Sequence, residues 1–235
     1  MEKRRNKKLS ALSLAFLSVL IIGTVLIVRK QHNMPYIHNQ GMVFGTVYSI
    51  KYQNDKDLQK EIEAELKKVD NSLSTFNKQS VISKINRNED VKADGMFAEV
   101  FSLARRISDK TGGAFDITVA PMVNLWGFGF KSGTAPSAHS IDSLRSIVGY
   151  KKVRLEGRRI VKDDKRTMLD CSAIAKGYGT DVVARFLKTK GIENFMVEIG
   201  GEVVTSGVSE SRVPWRIGVT KPTDDSLSVN NEVQT

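Results

Sequence analysis

The apolar positions of this chain recur with different periods in different stretches. From Val43 onward, Phe44, Thr46, Tyr48, Ile50 and Tyr52 alternate with other residues, which predicts a strand with one buried face. Leu58, Ile62, Leu66, Val69 and Leu73 then recur at spacings of four, four, three and four, the stripe of an amphipathic helix. Ser80 is placed to cap a short helix carrying Val81, Ile82 and Ile85. Phe97, Phe101, Ala104 and Ile107 mark another helix, stopped by Gly112-Gly113. Ile141, Leu144 and Val148 predict a further helix, ended by Gly149. Lys151–Leu155 and Arg159–Lys162 read as a hairpin around Glu156-Gly157. A long helix is predicted over Ser172–Lys190, with Ile174, Tyr178, Val182 and Phe186 every four residues and Gly191 just past its end. Phe195–Ile199, Glu202–Thr205 and Trp215–Thr220 read as strands. There is no steady alternation of strand and helix, so the pattern favours an α+β fold over a doubly wound sheet.

One stretch has no period at all. Leu9–Val28 is twenty uncharged residues, apolar on every face. At about 1.5 Å per residue it matches a bilayer core of about 30 Å. Five basic residues precede it, so the positive-inside rule keeps the N-terminus in the cytoplasm. The expectation is a retained single-pass signal anchor, with a cleaved signal peptide as the competing reading. The expected organisation is a stub and transmembrane anchor over 1–30, a polar linker over 31–41 and one domain over 42–235.

Charge changes little once it is mapped. The net +10 is mostly N-terminal, since residues 1–30 hold seven Lys/Arg and one acid. The body, at +4, needs no polyanionic partner, and no nucleic acid is expected. A single cysteine, Cys171, excludes a disulfide framework and a four-cysteine zinc site.

The familiar catalytic signatures G-x-S-x-G, H-E-x-x-H, Walker A and C-x-x-C do not occur. Gly127-Phe128-Gly129 and Gly177-Tyr178-Gly179 lack the third glycine of a dinucleotide fingerprint, and His32, His38 and His139 are scattered. Three segments carry the candidate chemistry. In Thr111–Asp116, paired glycines allow close approach of a ligand and Asp116 offers an acceptor, while a helix stop followed by a capping Asp explains the same residues. In Asp170–Gly179, a strand end runs through an Asp and small residues into a helix. A helix N-terminus favours anions, and Lys176 adds charge one turn in; a plain N-capped helix with a solvated Lys is the alternative. Glu198–Glu202 suggests a turn or bulge near a ligand, or a plain hairpin turn.

These segments arrive in an order that resembles the ApbE family of flavin transferases. The resemblance runs through Phe44–Tyr48, Ser74–Asn77, Gly112–Gly129, Asp170–Tyr178, Gly200–Glu202 and Pro214–Ile217, and covers nearly all of residues 42–222. It implies a membrane-anchored enzyme that uses FAD and Mg²⁺ to transfer FMN to a threonine hydroxyl of a target protein, releasing AMP. It implies a flavin site of Phe44, Phe76, Ala114, Phe115, Asp116, Asp170 and Lys176, with the carbonyl of Ala173 on the metal. The implied partner is a flavin-acceptor subunit of a membrane redox complex. The implied location is the extracytoplasmic, periplasmic side of a bacterial inner membrane. The family pattern continues beyond Trp215-Arg216-Ile217 into a part expected to hold the catalytic residues and a metal loop. The alternative expectation is therefore a truncated, inactive flavin-binding module, and the 235-residue chain by itself is expected not to transfer FMN.

Overall fold

The computed structural model of the protein describes residues 14–26, 29, 33–128 and 136–218. In chain order it contains strands β1 (Tyr36–Val43) and β2 (Thr46–Gln53), followed by helices α1 (Gln59–Leu73), α2 (Val81–Asn86), α3 (Gly95–Lys110), α4 (Ala120–Leu125) and α5 (Ala138–Arg145). The hairpin β3 (Val153–Glu156) and β4 (Arg159–Lys162), the long helix α6 (Ser172–Thr189) and strands β5 (Phe195–Ile199) and β6 (Glu202–Ser206) complete it. Strands β1, β2, β5 and β6 form an antiparallel sheet in the order β1-β2-β5-β6. The expected α+β class holds, with strands both before and after the helices.

The alternation in β2 has the expected result: Tyr48, Ile50 and Tyr52 are buried, and so are Phe195, Val197 and Ile199 of β5. Ile62 and Leu66 of α1 and Val183 and Leu187 of α6 cover this face of the sheet. The other ends of the same two helices face elsewhere. Val69 and Leu73, with Tyr178 and Val182, pack into a second cluster with Phe97, Phe101 and Leu169. Two helices thus join two cores, one on the sheet and one behind the region of candidate chemistry.

The N-terminal expectation of a span over Leu9–Val28 falls partly outside the described residues. Residues 14–26 are helical with exposed apolar side chains, and among the described residues no helix is long and apolar enough to cross a membrane. The polar linker expected over 31–41 is cut short, because β1 begins at Tyr36 and pairs along its length with β2. Its polar residues hid it. Asn39 is buried, yet its carbonyl accepts from the Tyr52 hydroxyl at 2.8 Å and its amide donates to Asp57 at 3.0 Å.

The helix predicted through Ile141, Leu144 and Val148 stops at Arg145 and buries none of its residues; Ile147, beyond its end, is the buried one. Trp215–Thr220 is not a strand over its described residues. The Trp215 indole donates instead to the Ser206 carbonyl at 2.9 Å and meets the Tyr36 ring edge-on. Thr220 lies outside the described residues.

Candidate functional site

A cleft of about 680 Å³ opens on the side of the second core. Three separate stretches of chain build it: the end of α1 through α2, the loop Ala114–Asp116 with α4, and Met168–Ala173 leading into α6. Local rules shape each stretch. The Ser80 hydroxyl accepts from the Ser83 amide and caps α2. Gly112 and Gly113 both sit at positive φ after α3, where a side chain would be strained.

The three stretches are joined by hydrogen bonds between residues far apart in sequence. The side-chain amide of Asn86 donates to the Leu169 carbonyl at 2.8 Å, and its carbonyl accepts from the Leu169 amide at 2.7 Å. On the other side of that segment, the Asp170 amide donates to the Ile117 carbonyl at 2.7 Å, beside a parallel bridge between Val119 and Met168. The Thr167 hydroxyl donates to the Ile147 carbonyl at 2.7 Å. Segments 117–119 and 168–170 therefore lie side by side and bring Asp116 and Asp170 to one cleft.

Of the eight residues that the sequence put forward, Phe76, Ala114, Phe115, Asp116, Asp170 and Ala173 line this cleft. Phe44 and Lys176 do not. Phe44 occupies the β1–β2 turn at φ 53°, with Gly45 at φ 75°. Positive φ at both positions is the pattern of a tight two-residue hairpin turn. Its ring lies on Gly179, where an added Cβ would come within 2.7 Å of it. Lys176 reaches the other way and donates to the Gly200 carbonyl at 3.3 Å.

The two carboxylates in the cleft are employed differently. Asp116 is held by its own fold: one oxygen accepts from the amide and hydroxyl of Thr118, the other from the Tyr150 amide, each at 2.7 Å. The Thr118 hydroxyl in turn accepts from the Gly149 amide. Asp116 is thus the knot that ties loop 149–150 to the cleft. Asp170 uses Oδ1 to accept from the Ser172 amide at 2.6 Å and so guides the chain into α6. Ser172 and Ala173, the first residues of α6, line the cleft beside it, so the positive end of the helix dipole is presented there.

The walls are largely apolar. Phe76 and Phe128 are 67% and 80% exposed, with Phe115, Val119, Val123 and Met168 between them. Large exposed aromatic rings around a concave site suit a planar aromatic ligand. Lys78 and Arg87 add positive charge, Arg87 already paired with Glu89 at 2.7 Å. Asn86, Phe128 and Arg87 were not among the residues the sequence put forward. Only Phe128 carried a signal, within the Gly127–Gly129 motif.

Two motif residues prove to be structural. The Cys171 thiol is wholly buried, and desolvation, with Asp170 beside it, pushes its pKa up to about 12. Such a thiol is no nucleophile. The Tyr178 hydroxyl donates to Glu99 at 2.6 Å, and burial and that carboxylate raise its pKa. Behind the cleft, the half-buried Lys162 donates to the Ile85 carbonyl and to Asn88, closing the end of α2 against β4; burial lowers its pKa to about 8.

Among the described residues, no group of three or more His, Cys, Asp or Glu side chains comes together to hold a metal. Asp170 and Ala173, whose carbonyl the resemblance implied for Mg²⁺, both line the cleft; Mg²⁺ usually keeps several waters and binds substrate phosphates as well.

The chain is similar to known proteins in both sequence and fold. The model of the ApbE family matches residues 44–235. An FAD:protein FMN transferase of Vibrio cholerae is 35% identical over 227 residues, which is 92% of this chain and 68% of that protein. One of Haemophilus influenzae is 36% identical, over 82% of this chain and 61% of that protein. The solved flavin transferase ApbE of Vibrio cholerae superposes with a TM-score of 0.74 at 38% identity, covering 80% of this chain and 65% of that one. The Pseudomonas stutzeri flavinyl transferase ApbE, in its apo form, gives 0.72 at 31% identity, over 79% and 66% of the two chains. This chain thus spans about two thirds of the length of its relatives. The family match over residues 44–235, together with the shared sequence and fold, makes this chain a member of the ApbE family.

Proposed function

We propose that the chain takes FAD in the cleft and serves as an FAD:protein FMN transferase. The observation that supports this is the union, in one cleft, of open aromatic walls with the positive end of α6. A flavin dinucleotide has both features: flat aromatic rings and a doubly charged pyrophosphate. The rings are received by Phe76, Phe115 and Phe128, and the pyrophosphate by the positive end of α6.

In the transfer, a threonine oxygen of the target protein forms a bond to the FMN phosphorus. The bond from that phosphorus to the bridging oxygen breaks, AMP leaves with that oxygen, and the threonine proton passes to a base. Positioning and charge stabilisation carry such a step. Within it, this chain's residues bind, orient and exclude water. Asp116 fixes the shape of the loop, and Asp170 guides the amides of α6 toward the phosphates. Mg²⁺, when bound, neutralises phosphate charge. The described donors fit it only in part, and no step here is derived through it.

A flavin-binding module without transfer is the second reading, favoured by that partial donor set. The acceptor is proposed to be a subunit of a membrane redox complex, as the family resemblance implies. The chain is proposed to sit on a retained anchor over Leu9–Val28 with its body outside the cytoplasm, which the five preceding basic residues support. A reporter active only in the cytoplasm, fused after Thr235, should be silent; strong activity would overturn that topology.

The function is tested in two stages. Titration of FAD should show saturable binding that Phe76→Ala weakens. Incubation with FAD, Mg²⁺ and a threonine-bearing target, read as flavin fluorescence on a denaturing gel, then separates transfer from binding alone. Absence of FAD binding would overturn both readings.

A further inference from the structure

We propose that Asn86 is a positioning residue, holding the Asp170 carboxylate and the first amides of α6 in place by acting as a strand neighbour to Leu169. The inference rests on the reading of the cleft as a flavin site, but its geometry stands independently of it. Segment 168–170 is paired on one side by backbone, through Ile117 and Val119. On its other side, among the described residues, no strand pairs with it. The side chain of Asn86, 83 residues away, supplies instead one acceptor and one donor to the two backbone groups of Leu169, at 2.7 and 2.8 Å.

Those groups cannot turn to water, since Leu169 is 0% exposed. Buried backbone groups must be paired, and here one primary amide satisfies both. Asn is the side chain for this task. Asp offers acceptors only and would face the Leu169 carbonyl with an oxygen, Gln is one methylene longer, and Ala offers nothing.

The rest of α2 keeps Asn86 steady. Ser80 caps its start, and Lys162 binds the Ile85 carbonyl at its end. Asp170 follows Leu169 directly, and its Oδ1 sets the entry into α6 through Ser172. A slack Leu169 therefore translates into a misplaced carboxylate and a misplaced helix N-terminus. Asn86 itself lines the cleft, so direct contact with the ligand is the rival role that the test must exclude.

Two measurements on the full chain decide this. The first is hydrogen exchange without ligand. Asn86→Ala should speed exchange of the Leu169 amide roughly tenfold or more, while amides of β2 and β5 stay protected. Unchanged exchange at Leu169 would overturn the proposal. Asn86→Asp keeps the acceptor and loses the donor; should the Ala variant unfold as a whole, it carries the same test and should show an intermediate acceleration. The second is a double-mutant cycle in FAD affinity. Asn86→Ala should weaken binding roughly tenfold, yet add less than about twofold in an Asp170→Ala background. A full additional loss there would mean that Asn86 touches the ligand itself, and would overturn the positioning role. If the unsubstituted chain binds no FAD, the functional reading falls, and the exchange measurement still decides whether Asn86 holds Leu169.

Discussion

The sheet and the cleft wall are built by different means, although α1 and α6 run through both. On the sheet side, stability comes from repeating apolar burial: Ile50, Ile62, Leu187 and Phe195 meet because each lies on the periodic face of its own element. On the cleft side, shape comes from single polar side chains that stand in for missing strands and turns. Asn86 pairs with Leu169, Asp116 with Tyr150, and Thr167 with Ile147. An apolar face tolerates similar substitutes. A lone amide or carboxylate that satisfies buried backbone does not, because its loss leaves donors and acceptors unpaired. The functional face of this protein is therefore the more easily broken by a conservative change, and the sheet by a large-to-small one.

The largest effect expected on this contrast is in the sheet. Phe195→Ala removes a fully buried ring and should cost about 3–5 kcal/mol in urea unfolding. The fold should lose stability without a separate effect on FAD at temperatures where it stays intact. Next comes the cleft. Asp170→Ala should weaken FAD binding by roughly ten- to hundredfold, equivalent to about 1.5–3 kcal/mol of lost interaction, read from FAD fluorescence. An unchanged dissociation constant would remove Asp170 from the site.

Asp116→Asn probes the polar side of this contrast, because it turns one acceptor into a donor opposite the Thr118 or Tyr150 amide. It should lower stability by about 1–3 kcal/mol, with the loss of FAD affinity following from the displaced loop. Retained stability with lost affinity would make Asp116 a direct ligand instead.

The smallest effect belongs to Lys162. Its pKa falls from 10.5 to about 8 on folding, so the unfolded chain binds more protons between these values and stability rises with pH across that window. The group is only half buried, and solvent screens most of the effect. The thermal midpoint relative to Lys162→Met should rise by only about 2 °C between about pH 7.5 and about pH 9.5, below the range of tyrosine ionisation. A falling difference would show that the charged form is the one the fold prefers.

Much of the fold was legible in the sequence. The stripe from Leu58 to Leu73 became α1, Ser80 capped α2, and Ser172 began the long helix that ends before Gly191. In each case the deciding force is local: periodic burial, one capping hydroxyl, or a glycine at positive φ. The polar edge strand β1 was not legible, because Asn39 is buried by hydrogen bonds and gives no apolar alternation. Trp215 misled for the opposite reason, as an apolar residue whose indole is used at a sheet edge rather than in a strand.

For the candidate site, sequence order and resemblance singled out the motifs around Phe115 and Asp170, and the structure brings both to one cleft. What the sequence determined by itself was the set of elements, since helix and strand periods are written in neighbouring residues. Which side chains share the cleft was settled by packing. It turned Phe44 onto Gly179 and Lys176 onto Gly200, and set Asn86 against Leu169. Those pairings join residues from 24 to 135 positions apart, counted along the chain, and depend on how α1 and α6 lie across two cores. No period or local propensity encodes a contact of that range; it exists only once the apolar faces have packed and left buried polar groups to be satisfied.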